Sequence, residues 1–275
     1  MLNYYINKYK EIKLIIIQIY TGNSYRNFNY LVGCEETGEA IAIDPLAYKL
    51  CLDSAKKRNW TIKAVINTHE HLDHIGGNSK VIQNTGAKLY AHKNAKNKIN
   101  GIDIGLCSGD IIKVGKTIEL EVIDTPGHTM SHICLLSRGK KEALFSGDTL
   151  FNAGVGNCHN GGDPEVLYET FFKKLYNIKH NTIIYPGHDY IENNLNFSLN
   201  REPSNLVAKK LLKKIKGQNP NKAILTDFAT EIEVNSFFRL ENPTIINELQ
   251  KDGELRNGSS PKEVFLALRK MRNSW

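Results

Sequence analysis

The sequence predicts a layered α/β domain followed by a smaller, mainly helical domain. Short runs rich in β-branched residues alternate with turn residues over the first two thirds of the chain, and helix-like patterns interrupt them. After His188 the pattern becomes mainly helical. Sheets covered by helices are the stable arrangement for such an alternation. We therefore expect one domain over residues 1–188 and a second over residues 189–275.

Short apolar runs predict the strands, and the first of them, LIIIQIY, is expected to be a buried strand. The others are NYLVG, AIAID, AVINT, KLYAH, LEVIDTPG, HICLLS, ALFSGDT and TIIYPGH. Helical patterns over AYKLCLDSAKKRNW and DPEVLYETFFKKLYNI lie between strands, and LVAKKLLKKIKGQ follows the last one. A final helix begins after Ser260, because Pro261 suits the first helical position and Glu263 completes a capping box.

Composition is typical of a globular protein of the cytoplasm. The 275 residues are 41% hydrophobic and 24% charged, and the apolar run LIIIQI is far shorter than the roughly 20 residues of a membrane span. No small-residue cleavage site follows that run, so we expect no signal peptide. The five cysteines contain no C-x-x-C pair, which favours a reducing compartment. The net charge of +7 is attributed to lysines spread over the surface, with an anionic partner as the alternative.

Potential metal ligands are concentrated in the stretch THEHLDHIGG, residues 68–77. His69 and His71 are two residues apart at a strand end, so both can face one metal ion. Asp73 and His74 follow where the chain can turn toward a second ion. Imidazole and carboxylate are the ligands that zinc, iron and manganese use in hydrolytic sites. Glu70 is expected to point into solvent.

The same pattern of a strand that ends in a polar residue recurs three times. EVIDTPG leads into His128, ALFSG into Asp148 and IIYPG into His188. Side chains at one end of neighbouring strands converge, so these residues can complete the two halves of the cluster, and Asp148 could bridge both ions. Each of them alone would more often be an ordinary core or turn residue. Together they predict a metal centre, whereas His92, His159 and His180 have no context as ligands.

Four stretches in this order, THEHLDHIGG, DTPGHTMSHI, FSGDTLF and YPGHDY, resemble the motifs of the metallo-β-lactamase superfamily. The resemblance implies an αβ/βα sandwich with a binuclear metal site at its edge. Within the superfamily the chain is most similar to glyoxalase II (hydroxyacylglutathione hydrolase), in GDTLFNAGVGNC, PGHDYIENNLNFSLNREPSN, NSFFRLENPTI and SPKEVFLALRKMRNSW. Asp148 stands where β-lactamases of the commonest subclass carry a cysteine, which argues against antibiotic hydrolysis.

The resemblance implies a role for each matching residue. Asp73 and Asp148 would be catalytic, together with a metal-bound hydroxide. The two ions would be zinc, with iron or manganese as alternatives. Metal one would be held by His69, His71 and His128, metal two by Asp73, His74 and His188, with Asp148 bridging; glutathione would contact Tyr190, Arg269 and Arg272.

The loop after GDTLF departs from the family pattern. Asn157 and His159 occupy the positions where glyoxalase II enzymes often carry a lysine and a tyrosine, and we expect both residues to face the substrate. A lost lysine removes one charge-assisted contact, typically worth about 1.5–3 kcal/mol. A thiol other than glutathione is therefore an alternative at this position of the substrate.

The implied activity is hydrolysis of S-D-lactoylglutathione to D-lactate and glutathione, the detoxification of methylglyoxal. The partner is this small thioester, and no nucleic acid, membrane or obligate protein partner is expected. One alternative is an iron-dependent persulfide dioxygenase, which resembles the same framework with one iron held by two histidines and an aspartate. Others are a different thioesterase of the superfamily and a nucleic-acid hydrolase, for which steep salt dependence of binding would be the test.

Overall fold

The computed structural model describes residues 14–138 and 142–275. Its architecture is two β-sheets packed face to face, with helices on both outer surfaces. The first sheet contains six strands in the order β1-β2-β3-β4-β5-β6, and the second contains five in the order β13-β10-β9-β8-β7. The predicted layered α/β fold with a helical C-terminal part is confirmed.

The first sheet is antiparallel from β1 to β3 and parallel from β3 to β6, while the second is antiparallel except for the parallel pair β10 and β13. The strands are β1 (Leu14–Tyr20), β2 (Phe28–Cys34), β3 (Glu39–Ile43), β4 (Thr61–Ile66), β5 (Lys88–His92), β6 (Ile104–Leu106), β7 (Ile111–Val114), β8 (Ile118–Asp124), β9 (Ile133–Ser137), β10 (Ala143–Gly147), β11 (Leu150–Phe151), β12 (Gly154–Val155) and β13 (Ile183–Pro186). Strands β11 and β12 form a separate two-stranded ribbon.

The helices cover the outer faces of the sheets and form the C-terminal third. They are α1 (Tyr48–Lys57), α2 (Leu72–Ile75), α3 (Asn78–Thr85), α4 (Pro164–Thr170), α5 (Ile191–Arg201), α6 (Leu206–Ile215), α7 (Phe228–Val234), α8 (Pro243–Lys251) and α9 (Pro261–Asn273). Single 3₁₀ turns occur at Lys93–Ala95, Pro220–Lys222 and Ser236–Phe238. The pattern DPEVLYETFFKKLYNI continues from α4 into a π-helical segment, Phe171–Leu175.

Three of the four apolar clusters among the described residues hold these layers together. The central cluster joins the facing sides of the two sheets, with Tyr30 and Ile43 from the first and Phe145 from the second. A second cluster packs α1 and α3 on the outer face of the first sheet. A third joins the outer face of the second sheet to C-terminal helices through Phe237 and Phe265. The C-terminal helices therefore share a core with the sheet that carries part of the site.

Every predicted strand forms, and the capping box of Ser260 and Glu263 at α9 is present. The expectation of a buried first strand was wrong, because only Ile19 of β1 is buried. β1 pairs with β2 alone and lies at the edge of its sheet, so it lacks a second neighbour to cover it. Strands β6, β7, β11 and β12 were not predicted, since two to four residues are too few for a periodicity.

Within residues 14–138 and 142–275, none of the helices combines the length and the apolar character of a membrane span. All five cysteines are free thiols.

Candidate active site

The stretch THEHLDHIGG leaves β4 at the edge of the sandwich. His69 is buried in the loop that follows the strand, and His71 immediately precedes the short helix α2. Asp73 and His74 lie within that helix, so the chain turns between the two halves of the stretch as expected. Gly77 then precedes α3 as its N-cap residue, and a Cβ at this position would lie only 1.8 Å from the Pro45 carbonyl oxygen.

Three further side chains reach the same place from the second sheet. His128 follows β8, Asp148 follows β10 and His188 follows β13, and all three are buried. At the Pro-Gly turn before His188, a Cβ on Gly187 would lie 2.2 Å from Asp148 Oδ1, so only glycine allows this close approach. Ends of neighbouring strands therefore bring distant residues into one site, and seven potential ligands meet there.

His69, His71 and His128, here called set one, have their ring nitrogens turned toward one another. His71 Nδ1 lies 3.1 Å from His69 Nε2 and 3.0 Å from His128 Nε2. Two nitrogens that share a tetrahedral metal at about 2.05 Å are separated by about 3.3 Å. These two distances are therefore close to those between ligands of a single ion, and the ligand atoms of all three residues lie within 4.8 Å of one another.

Asp73, His74 and His188, here called set two, form a second group whose ligand atoms lie within 4.8 Å of one another. His74 Nε2 lies 3.2 Å from His188 Nε2, and Asp73 Oδ2 lies 3.6 Å and 3.5 Å from the same two nitrogens. Asp148 lies between the sets. Its Oδ2 is 3.5 Å from His128 Nε2 and 3.1 Å from His188 Nε2, and its Oδ1 is 3.4 Å from His74 Nε2.

The outer nitrogen of each imidazole has an oxygen partner, and for three of them that partner is a backbone carbonyl. His71 Nε2, His128 Nδ1 and His188 Nδ1 donate to carbonyl oxygens at 3.0, 2.6 and 2.7 Å. A carbonyl can only accept, so the proton of a neutral ring lies on this outer nitrogen and the inner nitrogen presents a lone pair. The acceptors are the carbonyls of Asn160, Asn157 and Tyr25. Such an arrangement is typical of histidines that bind metal.

Charges in the site also fit cation binding. Asp148 Oδ1 is buried and has no hydrogen-bond partner, which is costly for a carboxylate unless a cation compensates it. Burial lowers the pKa of His128 to about 4, so its ring is neutral near pH 7. Burial lowers the pKa of His74 too, but Asp148 and Asp44 together raise it well above its usual range. In the metal-free protein His74 therefore holds a proton that a bound cation would displace.

Asp44 was not predicted as a site residue, although it ends the strand AIAID in the same manner as the ligands. Its Oδ2 lies 3.0 Å from His74 Nδ1, and its carboxylate also accepts from Thr68 N–H at 2.8 Å and Thr68 Oγ1 at 2.7 Å. Asp44 is close enough to group with His69 and His74, but these bonds occupy both of its oxygens. It therefore orients the His74 ring through Nδ1. The backbone of Asp44 has a φ of 48°, a strained value for a residue other than glycine.

The expectation that Glu70 points into solvent was wrong. Its side chain is only 9% exposed and pairs with Lys98, and it accepts hydrogen bonds from Thr129 Oγ1 and Ser131 Oγ at 2.9 Å each. These hydroxyls belong to the loop between β8 and β9 that carries His128. Glu70 thus connects the segment of His69 and His71 with the segment of His128. A contact between two distant segments cannot be predicted from the residue pattern of either one.

The residues expected to contact substrate differ in their freedom to do so. Tyr190 stacks on His188 with ring centroids 4.8 Å apart, and its hydroxyl has no hydrogen bond to any described residue. Asn157 and His159 are exposed on the loop after β12, and Asn157 Oδ1 accepts from His159 N–H. Arg272 is half-buried, with one hydrogen bond to Asn194. Arg269 is directed inward and is only 4% exposed.

Comparison with known proteins places this geometry in a family. Residues 32–188 match the model of the metallo-β-lactamase superfamily, and residues 189–275 match the model of the hydroxyacylglutathione hydrolase C-terminus. The chain is 56% identical over 263 residues to a hydroxyacylglutathione hydrolase of Nitrosococcus oceani, covering 95% of this chain and 100% of the relative. A cytoplasmic hydroxyacylglutathione hydrolase of Arabidopsis thaliana is 32% identical, covering 90% of this chain and 95% of the relative.

Solved structures agree on the fold. The crystal structure of ETHE1 from Myxococcus xanthus has a TM-score of 0.65 at 25% identity, covering 94% of this chain and 99% of that protein. The BLEG-1 B3 metallo-β-lactamase has a TM-score of 0.64 at 21% identity, covering 82% of this chain and 99% of that protein. The chain therefore belongs to the metallo-β-lactamase superfamily and, within it, to the hydroxyacylglutathione hydrolase (glyoxalase II) family.

Proposed function

We propose that this protein hydrolyses the thioester bond of S-D-lactoylglutathione, releasing D-lactate and glutathione in the detoxification of methylglyoxal. The observation that carries the proposal is the pair of ligand sets joined by Asp148. This pair occurs in a chain that matches relatives named hydroxyacylglutathione hydrolase over almost its whole length, C-terminal helices included.

Set one and set two would each hold one divalent cation, with Asp148 between them. Zinc is the cation that suits this mixture of imidazole and carboxylate best, while iron and manganese are the alternatives. When bound, the cations would lower the pKa of water toward neutrality and stabilise negative charge on the acyl oxygen. The support for this role is the close spacing of the inner histidine nitrogens and the buried Oδ1 of Asp148, which has no hydrogen-bond partner.

The carboxylates contribute fixed negative charge to the site. Burial raises the pKa of Asp148, but His188 and His74 hold it well below its usual range, so this side chain is ionised. Asp73 is the more open of the two, with 26% of its side chain exposed, and Asn27 Nδ2 donates to its Oδ2 at 3.1 Å. We assign the catalytic role to this pair, with Asp73 on the side from which substrate can approach.

The thiol part of the substrate would be oriented by residues around the opening. The free hydroxyl of Tyr190 and the guanidinium of Arg272 lie on the C-terminal side, and burial raises the pKa of Tyr190, which keeps its hydroxyl as a donor. Asn157 and His159 lie on the exposed loop after β12. Holding the thioester carbonyl in place is a large part of such catalysis, because it removes the entropic cost of alignment.

A persulfide dioxygenase is the alternative on the same framework. It would need one iron held by two histidines and an aspartate, whereas the described residues of this chain offer two complete sets and a shared carboxylate. The match of residues 189–275 to the C-terminal model of hydroxyacylglutathione hydrolases also favours the hydrolase. Oxygen uptake with glutathione persulfide would support the alternative.

We place the protein in the cytoplasm, as the name of its Arabidopsis relative does for that protein.

The test is an assay of the purified protein with S-D-lactoylglutathione, combined with quantification of bound metal by mass spectrometry. We expect thioester hydrolysis and close to two metal equivalents per chain. His128→Gln should abolish most activity and lower the metal content, while His180→Gln, a substitution at an exposed histidine outside the site, should match the wild type. A doubly loaded protein that leaves the thioester intact would refute the proposed function.

A further inference from the structure

The guanidinium of Arg269 is buried in the protein interior. Its Nη1 donates to the carbonyl oxygens of Val155 and Gly156 at 3.0 and 2.9 Å, while Nε and Nη2 both donate to Asn273 Oδ1 at 3.2 and 2.8 Å. The guanidinium carbon lies 5.7 Å from the centre of the Phe237 ring. A guanidinium has five N–H donors, so these four bonds leave one free. A bidentate grip on a substrate carboxylate would need two.

The loop that Arg269 holds lies directly behind a ligand of set one. A Cβ at Gly156 would lie 1.9 Å from the carbonyl oxygen of Asp148 and 3.0 Å from His128 Nδ1, so the backbone at 156 is in contact with both ligand residues. The carbonyl of the next residue, Asn157, accepts from His128 Nδ1 at 2.6 Å. The position of this backbone therefore sets the orientation of the His128 ring.

Arg272, one helical turn further along α9, makes fewer hydrogen bonds than Arg269 and is more exposed. Within the described part of the chain its guanidinium makes one hydrogen bond, from Nη2 to Asn194 Oδ1 at 3.1 Å, and lies 5.9 Å from the Phe197 ring centre. It is half-buried, whereas Arg269 is 4% exposed. Most donors of Arg272 are thus available to an anionic substrate group.

We propose that Arg269 is a positioning residue: it holds the backbone of residues 155–157 so that the Asn157 carbonyl keeps His128 in its ligand orientation. Arg269 then keeps at most one N–H donor for the thiol part of the substrate, whereas Arg272 keeps most of its donors. The kinetic effects expected from this assignment rest on the proposed function. Its effect on metal binding can be measured without any substrate.

The experiment compares Arg269→Met with Arg272→Met on two thioesters, S-D-lactoylglutathione and the D-lactoyl thioester of N-acetylcysteamine, which has no carboxylate. Zinc affinity is measured separately by competition with a chelator. We expect Arg269→Met to lower kcat by a similar factor on both thioesters and to weaken zinc binding roughly 10–100-fold, as is typical when the support of a ligand histidine is lost. Arg272→Met should raise KM for the glutathione thioester and keep wild-type zinc affinity.

Two milder variants keep the test decisive if Arg269→Met does not fold. Arg269→Lys retains the charge but cannot reproduce the fork to both carbonyls, and Asn273→Ala removes the acceptor of two of the four bonds. We expect both to weaken zinc binding less than Arg269→Met does. The proposal is overturned if the folded Arg269 variants bind zinc as the wild type does and only raise KM for the glutathione thioester. A wild-type protein that cleaves neither thioester would refute the proposed function, while the zinc titration would still decide the role of Arg269.

Discussion

Glu231 gives a prediction whose size follows from the structure. This carboxyl group is fully buried in α7 and accepts hydrogen bonds from Ala153 N–H at 2.8 and 3.0 Å, from Thr226 Oγ1 at 2.5 Å and from Asn235 Nδ2 at 2.8 Å. Burial raises its pKa from 4.5 to about 7, because the desolvation of the charged form outweighs these hydrogen bonds. Glu231 thus binds a proton more tightly in the folded chain than in the unfolded one.

The direction of the pH effect follows from this difference. Below pH 4.5 the group is protonated in both states, and between pH 4.5 and about 7 the folded state binds more protons, so the free energy of unfolding falls as the pH rises. A shift of this size corresponds to about 3 kcal/mol over the whole window. Between pH 5 and pH 8 the loss attributable to Glu231 is about 2–3 kcal/mol.

The measurement is urea unfolding of the wild type and of Glu231→Gln at pH 5 and pH 8. Glutamine does not titrate, so the variant should lose about 2–3 kcal/mol less than the wild type between the two pH values. Any constant cost of the amide cancels, because each protein is compared with itself. Glu233→Gln, an exposed substitution on the same helix, is the matched control and should follow the wild type. Parallel losses in wild type and Glu231→Gln would show that the pKa of Glu231 is not raised.

Two further substitutions test the supports of the metal ligands. Asp44→Asn removes the negative charge that contacts His74 Nδ1 and should weaken zinc binding roughly 10–100-fold in a chelator competition. The control Asp53→Asn changes an exposed carboxylate and should bind zinc as the wild type does. Equal zinc affinities of Asp44→Asn and the wild type would contradict the role of Asp44. Glu70→Ala leaves two buried hydroxyls without their acceptor and should lower the free energy of unfolding by about 2–4 kcal/mol in urea titrations. Lys98→Ala removes only the exposed half of the ion pair and should cost less, so an equal loss in both variants would count against the buried hydroxyls.

Local patterns were sufficient for nine of the thirteen strands among the described residues, and for the site residues that gather at the ends of those strands. The apolar pattern indicates where a strand ends, and the polar residues shortly after that end, such as His128 and His188, can be identified in the sequence. Periodicity could not show that β1 is an edge strand, because a run of isoleucines looks the same whether one neighbour or two cover it. Nor could it find β6 or β7, whose few residues form no recognisable period.

The sequence by itself determined which donor atoms are available and that they lie at strand ends, because side-chain chemistry and hydrophobic periodicity are local properties. Only the tertiary structure decided which way those groups face. The outer nitrogens of His71, His128 and His188 meet backbone carbonyls, which every residue type carries and no motif can indicate. The inward direction of Arg269 likewise depends on carbonyls 114 and 113 residues away in the chain. Such contacts result from packing between elements, which a local pattern does not encode.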